Sequence, residues 1–207
     1  MPPSRRDHLV ETALKLFSRD GFHATGIDTI LAEAGVAKMT LYHHFKSKDE
    51  LILAVLRRRD EMWRNSFERA VERAAQEPRR RLLAIFDALE VWFRGDFCGC
   101  MFVNATAEFG RCEDPIHEAA KEHKRLVQRY VTSLAEAAGA PDPPKLARQL
   151  CLLIEGASVL AHINGDAKVA REAKDTAREL IDASLAGANA RARPERKKTR
   201  QRRAKDS

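Results

Sequence analysis

Residues 20–56 read DGFHATGIDTILAEAGVAKMTLYHHFKSKDELILAVL, and they contain two short helical patterns separated by a tight turn. The apolar residues of the first pattern recur at i, i+3, i+4 and i+7: Ile27, Ile30, Leu31 and Ala34. Gly35 ends this pattern, and the second one, over residues 38–45, can turn Leu41 and Phe45 inward. Two short helices joined in this way predict a helix-turn-helix, whose second helix enters the major groove of DNA.

The second helix of this motif offers side chains suited to DNA. With Leu41 and Phe45 inward, donors and apolar groups remain outward, with no carboxylate among them: Lys38, Met39, Thr40, Tyr42, His43 and Lys46. Lys38 also stands at the helix N-terminus, where backbone N–H groups and the helix dipole favour phosphate. Three short helices need not bind DNA, however, so the same residues could be the surface and core of a small helical bundle.

Helical patterns continue on both sides of the motif. Ser4 is a candidate N-cap for a first helix that stops at Asp20-Gly21, and Ser47 with Glu50 forms a capping box that opens a long helix to about Ala75. Further apolar periodicity predicts helices over about 79–94, 101–110, 115–138, 145–163 and 168–185. No stretch shows the alternation of apolar and polar residues that is typical of a β-strand. The predicted fold is therefore all-α, with about nine helices: an N-terminal three-helix domain followed by a helical bundle.

The positive charge of the chain lies at one end. The net charge is +7, and residues 188–207 account for all of it with nine basic and two acidic residues, so that residues 1–187 are balanced. These last residues lack apolar periodicity and are expected to be disordered. They are either a solvated extension or an arm that adds phosphate contacts. A basic tail also leaves open a protein that compacts nucleic acid without sequence preference.

The sequence lacks the signals that are typical of several other classes of protein. No apolar run reads as a secretory segment or approaches the 18 residues of a membrane span, so a cytoplasmic protein is expected, with no membrane partner and with reduced cysteines. The sequence shows no nucleophile-base pair, glycine-rich phosphate loop or metalloprotease motif. We therefore expect neither an enzyme nor a cofactor.

Residues 20–56 resemble the N-terminal domain of TetR-family transcriptional regulators. The family pattern is a Gly-aromatic pair, a threonine, an Ile/Val-rich helix, Ala-Gly-Val, a Thr-Leu-Tyr-x-His/Tyr-Phe helix and a Ser/Asn-Lys-Asp/Glu start to the fourth helix. The resemblance implies base contacts from Lys38, Met39 and Tyr42. It implies phosphate contacts from Thr25, Thr40, His44 and Lys48. One departure is Ala37, where family members usually carry a capping Ser or Thr.

The resemblance also implies how the whole chain works. Residues 1–48 would be the DNA-binding domain, 49–187 the effector-binding and dimerisation domain, and 188–207 a basic tail. The protein would be a repressor that binds a palindromic double-stranded DNA operator as a homodimer. An unidentified small-molecule effector, apolar or aromatic, would release it.

The candidates for effector contacts combine apolar walls with a few polar groups, although aromatic residues at helical spacing are more often plain core. They are Phe86, Leu89, Trp92, Phe93, Phe97, Met101, Asn104, Phe109, His123, Tyr130 and His162. Three glutamates could pair with a cationic effector, or could equally be solvated or bonded to arginine: Glu90, Glu108 and Glu155.

Residues 150–163 are apolar almost all round, which exceeds the needs of one core-facing stripe. Together with the last helix they are the expected dimer interface, with these candidate residues: Leu152, Glu155, Gly156, Val159, Leu180 and Ser184. Cys98, Cys100, Cys112 and His117 suggest a metal or thiol-sensing site, but the single residue between Cys98 and Cys100 is tight for zinc. Buried inert thiols are the favoured interpretation, and no metal is expected.

Overall fold

The computed structural model describes residues 4–109 and 113–191, and within these ranges the chain forms nine α-helices and no strand. The helices are α1 (Arg5–Asp20), α2 (Ile27–Ala34), α3 (Lys38–His44), α4 (Lys48–Ala74), α5 (Pro78–Phe93), α6 (Met101–Glu108), α7 (Pro115–Ala137), α8 (Pro143–Asn164) and α9 (Val169–Arg191). The predicted all-α fold is confirmed.

The helix ends follow from local chemistry. Ser4 caps α1 by accepting a hydrogen bond from the backbone N–H of Asp7 at 3.1 Å. Gly35 ends α2 in the left-handed conformation, with φ of 63°, which glycine adopts without steric cost. Both helices therefore have the predicted bounds to within one residue.

Three details differ from the sequence expectation. Pro143 and Pro144 open α8 rather than preceding it, because proline fits the first helical turn, where no N–H is needed. Helix α9 continues to Arg191, beyond the expected end near residue 185. Glu50 reaches back to the backbone N–H of Lys46, at 2.6 Å, instead of that of Ser47; the Ser47 hydroxyl itself accepts from the Glu50 N–H as expected.

The first hydrophobic core joins the N-terminal helices to α6 and α7. We call residues 5–56, which are α1–α3 and the first turns of α4, the head. Phe17, Phe22 and Phe45 are almost fully buried at its centre. Ala105 of α6 and Ile116 of α7 belong to the same core. The head is thus packed directly against part of the C-terminal region.

The second core holds the rest of the C-terminal region together. It is built by α5, α7, α8, α9 and the distal part of α4, with Val71, Leu82 and Ile85 fully buried. Helix α4 contributes to both cores, and at 1.5 Å per residue its 27 residues extend about 40 Å. It is the longest single element shared by the two halves.

Helix α8 is unusually apolar. By length and composition alone, it is the one helix of the described ranges that could cross a membrane, since its most apolar 18 residues have a mean hydropathy of 1.3, and 33% of that stretch is buried. Core helices of soluble proteins pass the same test. Because Leu150, Ile154 and Ala157 are buried in the second core, one side of α8 already has a protein partner.

Candidate DNA-binding surface and effector cavity

Helix α3 exposes both polar and large apolar side chains on its solvent side. Met39 is 80% exposed and Tyr42 is 47% exposed, whereas Leu41 is fully buried in the first core. Lys38 is exposed at the N-terminus of the helix, where its Nζ lies 3.9 Å from an Asp28 carboxylate oxygen that is also exposed. Such a solvated pair is weak and leaves the cation available to phosphate.

Most of the other predicted DNA contacts share this surface. A shallow open groove of the surface is lined by Arg5, Met39, Thr40, Tyr42, His43 and His44. Lys46 is exposed just beyond α3, and Lys48 is half-buried at the start of α4. Arg5 was missed by the sequence reasoning, because its place beside α3 results from the packing of α1 and not from any local pattern.

Thr25 does not fit the expected phosphate contact through its side chain. Its side chain is only 2% exposed, and its hydroxyl donates to the carbonyl oxygen of Gly21 at 2.7 Å. The threonine closes the turn between α1 and α2, so its hydroxyl is already satisfied inside the head.

Ala37 is the N-cap of α3 and supplies no side-chain hydrogen bond. Its carbonyl oxygen accepts from the N–H of Thr40 at 2.9 Å, as any residue there would. The N–H groups that Ser or Thr would satisfy are left to solvent or to a bound anion.

A narrow cavity lies between α4, α5, α7 and α8, beside the loop between α5 and α6. Its volume is about 40 Å³, enough for a few water molecules. Aromatic and charged side chains dominate its lining: Arg59, Trp63, Trp92, Phe97, Phe102, His123, Lys124 and Glu155.

Five of the predicted effector residues line this cavity, namely Leu89, Trp92, Phe97, Met101 and His123. The other six lie elsewhere. Phe86 and Phe93 are buried in the second core, Tyr130 packs at its rim near Phe67, and Asn104 is half-buried on α6. His162 is exposed against Phe97, and Phe109 packs on Phe22 and His23 of the head.

His123 is held by a buried polar network at the wall of the cavity. Its Nδ1 lies 2.7 Å from an Asp60 oxygen, and its ring stacks on Phe102 with centroids 3.7 Å apart. Asp60 is already paired with Arg64, at 2.7 Å. Burial therefore dominates over the attraction of Asp60 and lowers the pKa of His123 to about 4. The imidazole is neutral at pH 7.

The three glutamates offered as partners of a cationic effector all have other partners. Glu90 pairs with Arg94 and, at 2.8 Å, with Arg171, which lowers the pKa of its carboxyl. Glu155 pairs with Lys124 at 2.7 Å. Glu108 accepts backbone hydrogen bonds from the head. Only Glu90 is thus bonded to arginine, whereas Glu155 is bonded to a lysine and Glu108 to backbone N–H groups.

Helix α6 connects the cavity to the head. Its first residue, Met101, lines the cavity, and its last residue, Glu108, accepts hydrogen bonds from the backbone N–H groups of Phe22 and His23 at 3.0 and 2.6 Å. Gly21 allows this approach, because it has a φ of +86° and a Cβ there would lie 3.2 Å from the Glu108 carboxylate. The helix is only eight residues long, so both ends are close to their partners.

An exposed apolar strip follows the outer side of α8. Leu152 is 73% exposed and Val159 is 46% exposed, and both were predicted. Ile163, at 71% exposure, and Leu160 extend the strip, and both lie in the predicted segment 150–163 although they were not among its named candidates. Gly156 lies in it with open space above its Cα, while Leu180 and Ser184 of α9 are half-buried. Glu155 is the exception, since its carboxylate turns inward to Lys124.

The thiols that the structure describes are three separate groups. Cys98 is exposed, Cys100 is half-buried with its Sγ 3.5 Å from the Nζ of Lys124, and burial raises the pKa of Cys151 to about 11. Within residues 4–109 and 113–191, no three His, Cys, Asp or Glu side chains are placed to share a metal ion. Cys112 lies outside the described residues.

Two family models match the chain, the first over the head and the second over the C-terminal region. Residues 9–55 match the model of bacterial regulatory proteins of the TetR family, and residues 78–177 match that of the tetracyclin repressor-like C-terminal domain. The first covers the helix-turn-helix, and the second covers α5 to the middle of α9.

Individual relatives and solved structures point to the same family as these two models. The transcriptional activator FasR of Mycolicibacterium smegmatis is 42% identical over 84 residues, and the repressor KstR2 of the same organism is 45% identical over 56 residues. These matches span 41% and 27% of the chain, and 38% and 27% of the two relatives' lengths. A TetR-family regulator from Streptomyces coelicolor superimposes with a TM-score of 0.81 at 31% identity, covering 89% of this chain and 91% of that one. The chain therefore belongs to the TetR family of helix-turn-helix transcriptional regulators, which are not enzymes.

Proposed function

We propose that the protein is a ligand-responsive repressor that binds a palindromic operator as a homodimer in the cytoplasm and leaves it when a small molecule occupies the cavity. The observation that carries this proposal is the position of α6, which has Met101 at the cavity and Glu108 on the head. A ligand that pushes on Met101 would displace the start of α6, and the end of α6 would carry that movement to the head.

The head is proposed to read DNA through α3. Met39 and Tyr42 are exposed large side chains on a helix that carries no acidic residue, which suits contact with base edges and methyl groups. Lys38, Thr40, His43, His44, Lys46 and Lys48 are proposed to contact bases or phosphates nearby.

The apolar strip of α8 is proposed to be the centre of the dimer interface, with α9 beside it. Leu152, Val159, Leu160 and Ile163 are exposed together on one side of α8, and a contiguous apolar patch of this kind is typical of a protein contact. A two-fold dimer places two recognition helices about one turn of DNA apart, about 34 Å, so that they reach successive major grooves.

The test begins by selecting bound duplexes from a random pool with the full chain and footprinting the selected sequence. We expect a protected palindrome. Met39→Ala and Tyr42→Ala should each weaken operator binding about tenfold or more without lowering the melting temperature, since base contacts contribute about 1–3 kcal/mol each. Met62→Ala, also an exposed methionine but on α4 outside the head, is the matched control.

The alternative of a protein that compacts DNA without sequence preference gives a different result. It would select no common sequence and leave no footprint. Deleting residues 192–207, which keeps α9 intact, then tests the basic tail: a tail that contacts phosphates makes the salt dependence of DNA affinity steeper, and its removal should flatten it. An unchanged slope would exclude that role.

A further inference from the structure

The charged groups that line the cavity do not balance. Arg59 and Lys124 are cationic, Glu155 is anionic, and His123 is neutral at pH 7 because burial lowers its pKa to about 4. Lys124 and Glu155 form an ion pair of 2.7 Å across α7 and α8. Burial disfavours the charge of Lys124, but Cys100 and Glu155 more than offset it and raise the pKa of the lysine. Arg59 is therefore the uncompensated charge.

Among the described residues, the guanidinium group of Arg59 has an aromatic partner and no carboxylate partner. It lies over the ring of Trp92, 4.6 Å from the centroid, and the side chain is half-buried. Within the part of the chain that the structure describes, it makes no hydrogen bond, and no carboxylate oxygen lies within 4.0 Å of it. Burial lowers the pKa of this arginine, and the opposing influence of the nearby Cys100 and Cys98 does not cancel that shift.

From this arrangement we infer that the effector is an organic anion, a carboxylate with an aromatic or apolar body, whose charge pairs with Arg59 while its body lies among Trp63, Trp92 and Phe97. A planar guanidinium binds a carboxylate through two parallel N–H···O bonds, a geometry that arginine offers and lysine does not. The inference rests on the proposed function, because it assigns the chemistry of the effector that this function requires.

A groove that adjoins the cavity carries the same sign of charge. Phe102 and Lys124 line both the cavity and an open groove of about 470 Å³ on the outer side of α6 and α7. The remaining charged side chains of that groove are all basic: Lys121, Arg125 and Arg129. Lys121 and Arg125 are paired with Glu118 and Glu122, which soften the field without reversing it. A groove of this kind concentrates anions at its inner wall.

A cationic effector fits the cavity poorly. Glu155 is the only carboxylate among the described lining residues, and its two oxygens both accept from Lys124 at 2.7 Å. A bound cation would have to displace Lys124 and leave that ammonium group unpaired beside Arg59. A neutral apolar ligand would fill the aromatic walls but leave the charge of Arg59 desolvated and without an anionic partner, which is costly.

The chain carries a built-in reporter for the test. It has two tryptophans, Trp63 and Trp92, and both line the cavity, so their fluorescence responds to a ligand there. The purified full-length protein is titrated with 1-naphthoate, trans-cinnamate and decanoate, and with the primary amide of each. We expect at least one acid to change the fluorescence saturably and its neutral amide to bind on the order of tenfold more weakly or worse, because the charge-assisted pair is lost.

Substitutions test whether Arg59 is the group that pairs with the carboxylate of the ligand. Arg59→Gln should lose the preference for the acid over its amide, and Arg59→Lys should recover only part of it. Arg57→Gln removes an exposed arginine of the same helix and should leave the preference intact. The inference is overturned if the amides bind as tightly as the acids, if Arg59→Gln keeps the preference, or if none of the three acids binds. Operator binding by the ligand-free protein is measured separately, so the proposed function can survive any of these results.

Discussion

Glu108 and His23 hold each other through two hydrogen bonds that join the C-terminal region to the head. The backbone N–H of His23 donates to the Glu108 carboxylate at 2.6 Å, and the imidazole Nε2 lies 3.0 Å from the Glu108 carbonyl oxygen, which requires a proton on that nitrogen. The N–H of the adjacent Phe22 donates to the same carboxylate at 3.0 Å. One side chain thus satisfies two N–H groups of the turn that follows α1.

Replacing Glu108 with alanine should lower the free energy of unfolding by about 1–3 kcal/mol, because the N–H groups of Phe22 and His23 lose their acceptor. Glu108→Gln, which keeps one acceptor oxygen, should lose less. Urea unfolding measures both. Glu136→Ala removes an exposed carboxylate from the end of α7 and serves as the control. Wild-type stability in Glu108→Ala would mean that the contact is not formed in solution.

Replacing Ala37 with serine should stabilise the head by up to about 1 kcal/mol, since a hydroxyl at this N-cap can accept from the free N–H groups of α3. Ser47→Ala should cost a similar amount by removing the cap of α4, where Ser47 accepts from the N–H of Glu50 at 3.2 Å. Thermal unfolding compares the two. Ala183→Ser, exposed in the middle of α9, should not stabilise the protein. If Ala37→Ser leaves the melting temperature where it was, the missing cap carries no cost.

Replacing Leu152 with arginine should convert a homodimer to monomers, because two copies of the new charge would face each other across the two-fold interface. Val91→Arg is a matched control, since Val91 is 71% exposed on α5 and Leu152 is 73% exposed on α8. Sedimentation velocity gives the oligomeric state of each, and gel-shift assays give operator affinity. A dimeric Leu152→Arg protein would place the interface elsewhere.

The stability of the protein should fall as the pH drops from about 6.5 to about 4. His123 has its folded pKa lowered to about 4 by burial, below the ordinary value of 6.5, so over that interval the unfolded chain binds a proton that the folded one rejects. The loss amounts to about 3 kcal/mol at the bottom of the interval, at about 1.4 kcal/mol per pH unit. His123→Gln, which keeps an N–H for Asp60, should flatten this dependence in urea unfolding. A slope equal to that of the wild type would assign it to other groups.

The helices could be predicted because their signals are local. Ser4, Gly21 and Gly35 act on backbone groups within four residues of themselves, and the spacing of Ile27, Ile30 and Leu31 defines a face without reference to the rest of the chain. The exposure of Met39 and Tyr42 followed for the same reason, since only one side of α3 is apolar.

The cavity could not be predicted in the same way. Arg59 and Trp63 lie on α4, whose apolar pattern reads as an ordinary core stripe, and they face Trp92 and Lys124 only because α5 and α7 pack against that part of α4. Phe109 is the opposite case, a residue that was predicted to contact the effector but lies away from the cavity. It is an aromatic residue at helical spacing, but the turn after α6 carries it onto the head. Both outcomes depend on how helices are rotated against one another, which no short stretch encodes.

Under the proposed function, the small volume of the cavity, about 40 Å³, means that effector sensitivity depends on how often the ligand-free protein opens as well as on the ligand. An effector of any size has to wait for, or force, an open form, so its apparent dissociation constant is the intrinsic one divided by the fraction of molecules already open. Substitutions at residues that pack behind Trp63 or Phe97, without contacting the ligand themselves, would alter the fraction of open molecules. The concentration at which a gene responds could then shift over evolution while the chemical selectivity of the site stays the same.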